Sequence, residues 1–231
     1  METILILHGW GSLAKNWQRV KEGLEDRGYK VFVPDLPGFG ENPPLSQAWS
    51  IDDYVNWIKE YYEKNNFFQV FLLGHSFGGG LAARFSAEMP RGVKKLILID
   101  SAIIRAENIK RELLAKIAKI IKVFSFLPFY KFIRRIFYKF IASDYPGLEG
   151  AMRETYLGVV KKDLSDCLSL ITVPTLLIWG AKDKITPLKD AYSIKDKIFG
   201  AGLEIIPGVG HAPNLEAPEI LVEKIVNFIR L

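Results

Sequence analysis

The sequence predicts a doubly wound α/β fold on a mainly parallel sheet flanked by helices, and three observations carry that prediction. Short apolar runs without alternation, such as Thr3–Leu7 and Thr175–Trp179, indicate strands covered on both faces. Stretches with helical spacing separate these runs, and parallel neighbours need crossovers of that kind. At the centre, Phe71-Leu72-Leu73-Gly74-His75-Ser76-Phe77-Gly78-Gly79-Gly80 reads as a buried strand, a sharp turn at a serine, and the start of a helix.

Taken in order, Thr3–Leu7 is the first strand and runs into His8-Gly9-Trp10-Gly11. Residues 14–27 set Trp17, Val20 and Leu24 at helical spacing and end at Gly28, which suits a helix C-terminus. Val31–Val33 is the second strand, followed by the turn-rich Pro34-Asp35-Leu36-Pro37-Gly38-Phe39-Gly40. Ser50-Ile51-Asp52-Asp53 has the form of a capping box for a helix through about Lys64. The central strand and its helix come next, then strands over Lys95–Ile99, Thr175–Trp179 and Leu203–Ile206. A helix near 188–199 and a last helix from Pro218 complete the pattern.

Residues 103–166 break the alternation. Helical pattern continues there without a strand, so the segment reads as an insertion dividing a core of 1–102 and 167–231. It holds 13 of the 31 basic residues but only 7 of the 26 acidic ones, which sets its charge apart from the remainder. Within it, Ile109–Phe124 is amphipathic: Leu113, Leu114, Ile117, Ile120, Ile121 and Phe124 mark one face, Lys116, Lys119 and Lys122 the other. Lysines so spaced ordinarily form a solvated face. The alternative is that, with Arg134 and Arg135, they attract an acidic substrate, a carrier or an anionic membrane surface. The aromatic-rich run from Phe124 to Phe140 suits the roof of an apolar pocket.

Composition excludes several classes. At 231 residues and 49% apolar content the chain suits one large domain with a substantial core. A single cysteine, Cys167, rules out an internal disulfide framework and fits a reducing compartment. No apolar stretch approaches the roughly 18 residues needed to cross a membrane. The first residues lack the basic region and cleavage site of a signal peptide, so a cytoplasmic location is expected. There is no dinucleotide G-x-G-x-x-G context and no Cys/His ligand cluster, so neither a cofactor nor a metal is expected. Nothing points to nucleic acid.

The central turn points to nucleophilic chemistry. Gly74-x-Ser76-x-Gly78 lifts Ser76 Oγ clear of the sheet, in strained backbone that leaves no room for neighbouring side chains. The hydroxyl then needs a base. Of three histidines, His8 precedes a glycine turn and is suited to fixing it, and His75 adjoins Ser76, from which its side chain should diverge. His211, in Pro207-Gly208-Val209-Gly210-His211-Ala212-Pro213-Asn214, follows the last strand and so opens on the same sheet edge as Ser76. The carboxylate that holds such a base falls best on Asp183, after the strand ending at Trp179, with Asp100 as the competing acid. Asp35 also ends a strand, but its prolines and glycine suit a turn. The order Ser76, Asp183, His211 is the one expected for this turn architecture. The N–H groups of Phe77, at the helix start, and Trp10, after the first strand, are candidate oxyanion donors.

At these residues the chain resembles the α/β-hydrolase superfamily over almost its full length. His8-Gly9-Trp10-Gly11, Asp35-Leu36-Pro37-Gly38-Phe39-Gly40, Gly74-His75-Ser76-Phe77-Gly78-Gly79, Trp179-Gly180-Ala181-Lys182-Asp183 and Gly210-His211 occur in order. The resemblance implies that 103–166 is a helical cap over the active site. It also implies activity like that of small serine carboxylesterases, including pimeloyl-carrier-protein esterases, or of carbon–carbon-bond hydrolases of aromatic ring cleavage. The reading from these residues is an esterase acting on a small-molecule ester with an apolar acyl group. The carbon–carbon hydrolase and a non-catalytic binding protein on the same fold are its alternatives. Family members commonly begin with an antiparallel hairpin before the strand that ends in His-Gly. Met1 here stands at that strand's start, so a six-stranded, all-parallel sheet with an exposed edge strand is expected.

Overall fold

The computed structural model describes residues 1–104, 148–160 and 162–231. The amphipathic stretch Ile109–Phe124, the basic groups Lys116, Lys119, Lys122, Arg134 and Arg135, and the aromatic run to Phe140 lie outside the described residues. Among the described residues the strands are β1 (Thr3–Leu7), β2 (Lys30–Phe32), β3 (Val70–His75), β4 (Val93–Ile99), β5 (Thr175–Gly180) and β6 (Gly202–Ile206). They form one sheet in the order β2-β1-β3-β4-β5-β6, every pair parallel, as the sequence predicts. Because all strands run the same way, the segments leaving their C-terminal ends share one edge. His8, Ser76, Asp100, Asp183 and His211 follow β1, β3, β4, β5 and β6 at that edge.

Among the described residues the helices are α1 (Gln18–Glu25), α2 (Ile51–Lys64), α3 (Phe77–Glu88), α4 (Gly150–Val159), α5 (Leu188–Lys197), α6 (Pro213–Glu216) and α7 (Pro218–Arg230). Alternate side chains of each strand point to opposite sheet faces, which divides the core in two. Leu5, Leu7, Leu72, Leu96, Leu98 and Leu177 pack under α2, α3 and α5. Ile4, Ile6, Phe71, Leu73, Ile97, Ile99 and Ile178 pack under α1 and α7. Both faces of the central strands are therefore dry, and this is why β3 and β5 read as continuous apolar runs.

Local signals set most helix ends. Ser50 and Asp53 form the predicted capping box: Ser50 N–H donates to Asp53 Oδ2 (2.7 Å) and Asp53 N–H to Ser50 Oγ (3.2 Å). The predicted helix over 14–27 is shorter than its spacing suggests. Its first turn, Ala14–Trp17, is a 3-10 turn, because Leu13 offers no side-chain cap and Ala14 N–H is drawn to Asp35 Oδ1 (2.6 Å) across the loop after β2. No helix among the described residues is long and apolar enough to cross a membrane.

Candidate active site

The turn between β3 and α3 takes the form its glycines imply. Ser76 stands at φ 51° and ψ −116°, backbone that non-glycine residues occupy only when their surroundings enforce it. That enforcement is visible. Ser76 N–H donates to Ile99 O (3.0 Å), and its carbonyl accepts from Gly79 (3.0 Å) and Ala102 (2.9 Å). Gly78 must lack a side chain, since a Cβ there would overlap the carbonyl oxygen of Leu7 at the end of β1. Gly9 must as well: a Cβ would lie 2.9 Å from His75 Nδ1 and 3.2 Å from Ser76 Cβ. The loop after β1 thus runs directly alongside Ser76.

The predicted nucleophile, base and acid meet. Ser76 Oγ lies 2.9 Å from His211 Nε2, and His211 Nδ1 lies 2.7 Å from Asp183 Oδ2, so the ring links hydroxyl to carboxylate. The Asp183 side chain is fully buried, whereas Ser76 and the His211 ring keep partial exposure toward the sheet edge. Burial raises the Asp183 carboxyl, but hydrogen bonds from His211 and Thr186 outweigh it and hold the group near about 2. Phe77 opens α3, so its N–H has no partner within the helix. The Trp10 ring packs edge-on to Phe77 (centroids 5.3 Å) and Phe39 (5.0 Å), and tilted against Tyr156 of α4 (5.3 Å). These rings form an apolar wall beside the serine.

The remaining candidates separate from this cluster in different ways. His8 fixes a turn: its Nδ1–H donates to Gly9 O and its Nε2 accepts from Leu36 N–H, both at 2.9 Å, which ties the loops after β1 and β2 together. Asp35 belongs to the same tie, accepting from Ala14, and takes no part in the cluster. Asp100 lies at the end of β4 against Asp183, with Oδ1 accepting from Gly180 N–H (2.9 Å).

Two contributors escape the sequence argument. Thr186 donates from both Oγ1 (2.6 Å to Oδ2) and N–H (3.0 Å to Oδ1) to Asp183, with Ile185 N–H adding a third bond at 2.7 Å. The spacing Asp183-x-x-Thr186 is a local signal that could have found it, because Asp side chains bond backbone groups two and three residues on. His75 has no such signal. Its ring does diverge from Ser76, but it lies beneath His211 and donates Nε2–H to the His211 carbonyl (2.7 Å), anchoring the loop that carries His211.

Burial, and then the nearby His211 ring, push His75 down to about 4. The unfolded chain therefore takes up a proton near an ordinary histidine value of about 6.5 that the folded protein refuses until about 4. Stability from this group is complete above the unfolded value and is lost as pH falls through that window. Denaturant unfolding at successive pH values should show the loss as the difference between wild type and His75→Gln, which keeps a donor but cannot titrate. His8, lowered mainly by burial, adds a contribution of the same sign. Unfolding curves for wild type and variant that remain parallel across the window would contradict this account.

Fold and site together define a class: a parallel α/β sheet carrying a strained serine turn beside a histidine and a buried carboxylate. A family model for the alpha/beta hydrolase fold matches residues 2–119. Lipase 1 of Psychrobacter immobilis is 28% identical over 94% of this chain and 73% of its own length. A 2-hydroxy-6-oxononadienedioate/2-hydroxy-6-oxononatrienedioate hydrolase of Klebsiella pneumoniae is 25% identical over 99% of this chain and 87% of its own. Among solved structures, an esterase from Exiguobacterium antarcticum superposes with a TM-score of 0.78 at 24% identity, covering 100% of this chain and 92% of that one. The chain belongs to the alpha/beta hydrolase fold family, and it is a hydrolase.

Proposed function

We propose that the protein is a serine esterase that cleaves small carboxylic esters through an acyl-enzyme. The observation carrying this reading is the hydrogen-bond chain from Ser76 Oγ through His211 to Asp183, beginning at a serine on strained backbone. Neutral His211 takes the Ser76 proton as the hydroxyl attacks the ester carbonyl, and returns it to the departing alcohol. Water activated by the same ring then releases the acid. Asp183 keeps the Nδ1–H tautomer and stabilises the imidazolium. The N–H groups of Trp10 and Phe77 receive the oxyanion, each donor contributing roughly 2.7–4 kcal/mol to the transition state.

The rings of Trp10, Phe39, Phe77 and Tyr156 beside Ser76 support an apolar acyl group. Residues 103–166 act as the cap between the two parts of the core, 1–102 and 167–231, a reading supported by α4 lying against Trp10. The single cysteine supports a cytoplasmic setting.

The test is a panel of p-nitrophenyl esters of graded acyl length, run beside a ring-cleavage diketone and a fluorophosphonate probe. Turnover highest on short to medium apolar acyl groups, with covalent labelling at Ser76, is the expected result. Turnover of the diketone alone would move the protein to carbon–carbon cleavage. No labelling and no turnover would leave a binding protein.

A further inference from the structure

We propose that Asp100 is a positioning residue for the base: its carboxyl group stays protonated in the folded protein and donates Oδ2–H to the carboxylate of Asp183. This rests on the reading of His211 as the base and Asp183 as the carboxylate that orients it. One oxygen of each carboxyl group and a ring nitrogen of His211 lie within 4.8 Å of one another, so two acids address a single imidazole. Two carboxylates that close cannot both stay ionised in a buried setting.

The donors decide which acid keeps the proton. Asp183 accepts from His211 Nδ1, Thr186 Oγ1, Thr186 N–H and Ile185 N–H, a set that favours the charged form. Asp100 is entirely buried, and among the described residues its carboxyl group accepts only from Gly180 N–H, while its Oδ2 has no hydrogen-bond partner. An ionised oxygen in that position is costly, whereas a protonated one is a donor for the nearby carboxylate of Asp183.

The surroundings agree. The titratable groups facing Asp100 are Asp183 from the loop after β5, and His211 and Glu216 from the segment after β6. Burial raises Asp100 to about 8, with the charges of Asp183 and Glu216 adding to the effect against the Gly180 N–H bond. Asp100 also holds φ 40° without being glycine, and β5 fixes it there through Asp100 N–H donating to Ile178 O (3.1 Å). Thr186 ties the two acids, its Oγ1 lying 3.1 Å from the Asp100 carbonyl oxygen as well as bonding Asp183. The pair then carries one negative charge, matched to the one positive charge His211 acquires during attack.

Infrared spectroscopy of the wild-type protein between neutral and alkaline pH tests the protonation directly and needs no turnover. A buried carboxylic-acid C=O stretch that disappears with a midpoint near about 8, and is absent from Asp100→Asn, is expected. The stability curve gives a second readout. A raised folded value means the contribution of this group to stability is greatest below the unfolded carboxylate range, about 3.9, and declines as pH rises to about 8. The wild-type curve minus that of Asp100→Asn should show that decline. The positioning role is read from kcat at neutral pH: Asn, which keeps a donor, should exceed Ala by about tenfold or more. Absence of the acid band at neutral pH, a wild-type-minus-Asn difference that stays flat with pH, or Asn and Ala variants of equal activity would each overturn the proposal. Should Ala fail to fold, the infrared and Asn measurements still decide. Failure of the underlying reading looks different, since it would appear as wild-type turnover in Asp183→Asn.

Discussion

Ser76→Ala should lower kcat for ester hydrolysis by about 10⁶ and abolish fluorophosphonate labelling. The size follows from what is lost. Without Oγ no acyl-enzyme forms, and His211 and Asp183 have no proton to move, so all three contributions fall together. What survives is the modest acceleration that oxyanion donors and substrate binding give to attack by water. The fold should persist, because alanine keeps the backbone bonds that hold the turn, Ser76 N–H to Ile99 O and the Gly79 and Ala102 N–H groups to Ser76 O, and removes only the hydroxyl. Ser76→Gly makes the complementary point: relief of that backbone strain should raise stability by about 1 kcal/mol over Ser76→Ala, net of the entropy of glycine. Unfolding curves measured beside the kinetics separate the two effects. Turnover in Ser76→Ala comparable to wild type would remove the acyl-enzyme route.

Asp183→Asn should cost about 10⁴ in kcat. The loss comes from tautomer and orientation. An amide facing His211 Nδ1 presents either an NH2, which forces the proton to Nε2 and leaves no base toward Ser76, or a neutral oxygen that stabilises the imidazolium poorly. Thr186 and Ile185 worsen this by holding the side chain with three donors aimed at its oxygens, so the amide nitrogen must meet at least one of them. Single-turnover kinetics on a p-nitrophenyl ester would report the acylation step alone. A loss smaller than about tenfold would show that another group orients His211.

The central turn was legible from sequence because its causes are local. Apolar Val70–Leu73 needs burial on both faces, Gly78 has to pass the Leu7 carbonyl, and α3 begins where the glycines permit. Parallel connectivity then places every strand's C-terminal end at one edge, so Ser76, His211 and the acids could be named from order along the chain alone. The capping box at Ser50 and the strand positions followed from the same short-range rules.

Distances between side chains at that edge were not legible, because they depend on sheet register and on how each loop folds back. Asp100 and Asp183 end adjacent strands, and sequence could only rank them. In the folded protein His211 Nδ1 bonds Asp183, because the Asp183-to-Thr186 turn swings that carboxylate outward while Asp100 is held inward on Gly180. His75 beneath the His211 loop and Tyr156 against Trp10 join residues far apart in sequence. No local rule sees such pairs. The sequence by itself determined the sheet, the serine turn and the edge where chemistry is expected; tertiary packing decided which carboxylate faces the imidazole and what holds it there, since only packing sets the direction of a side chain leaving a strand.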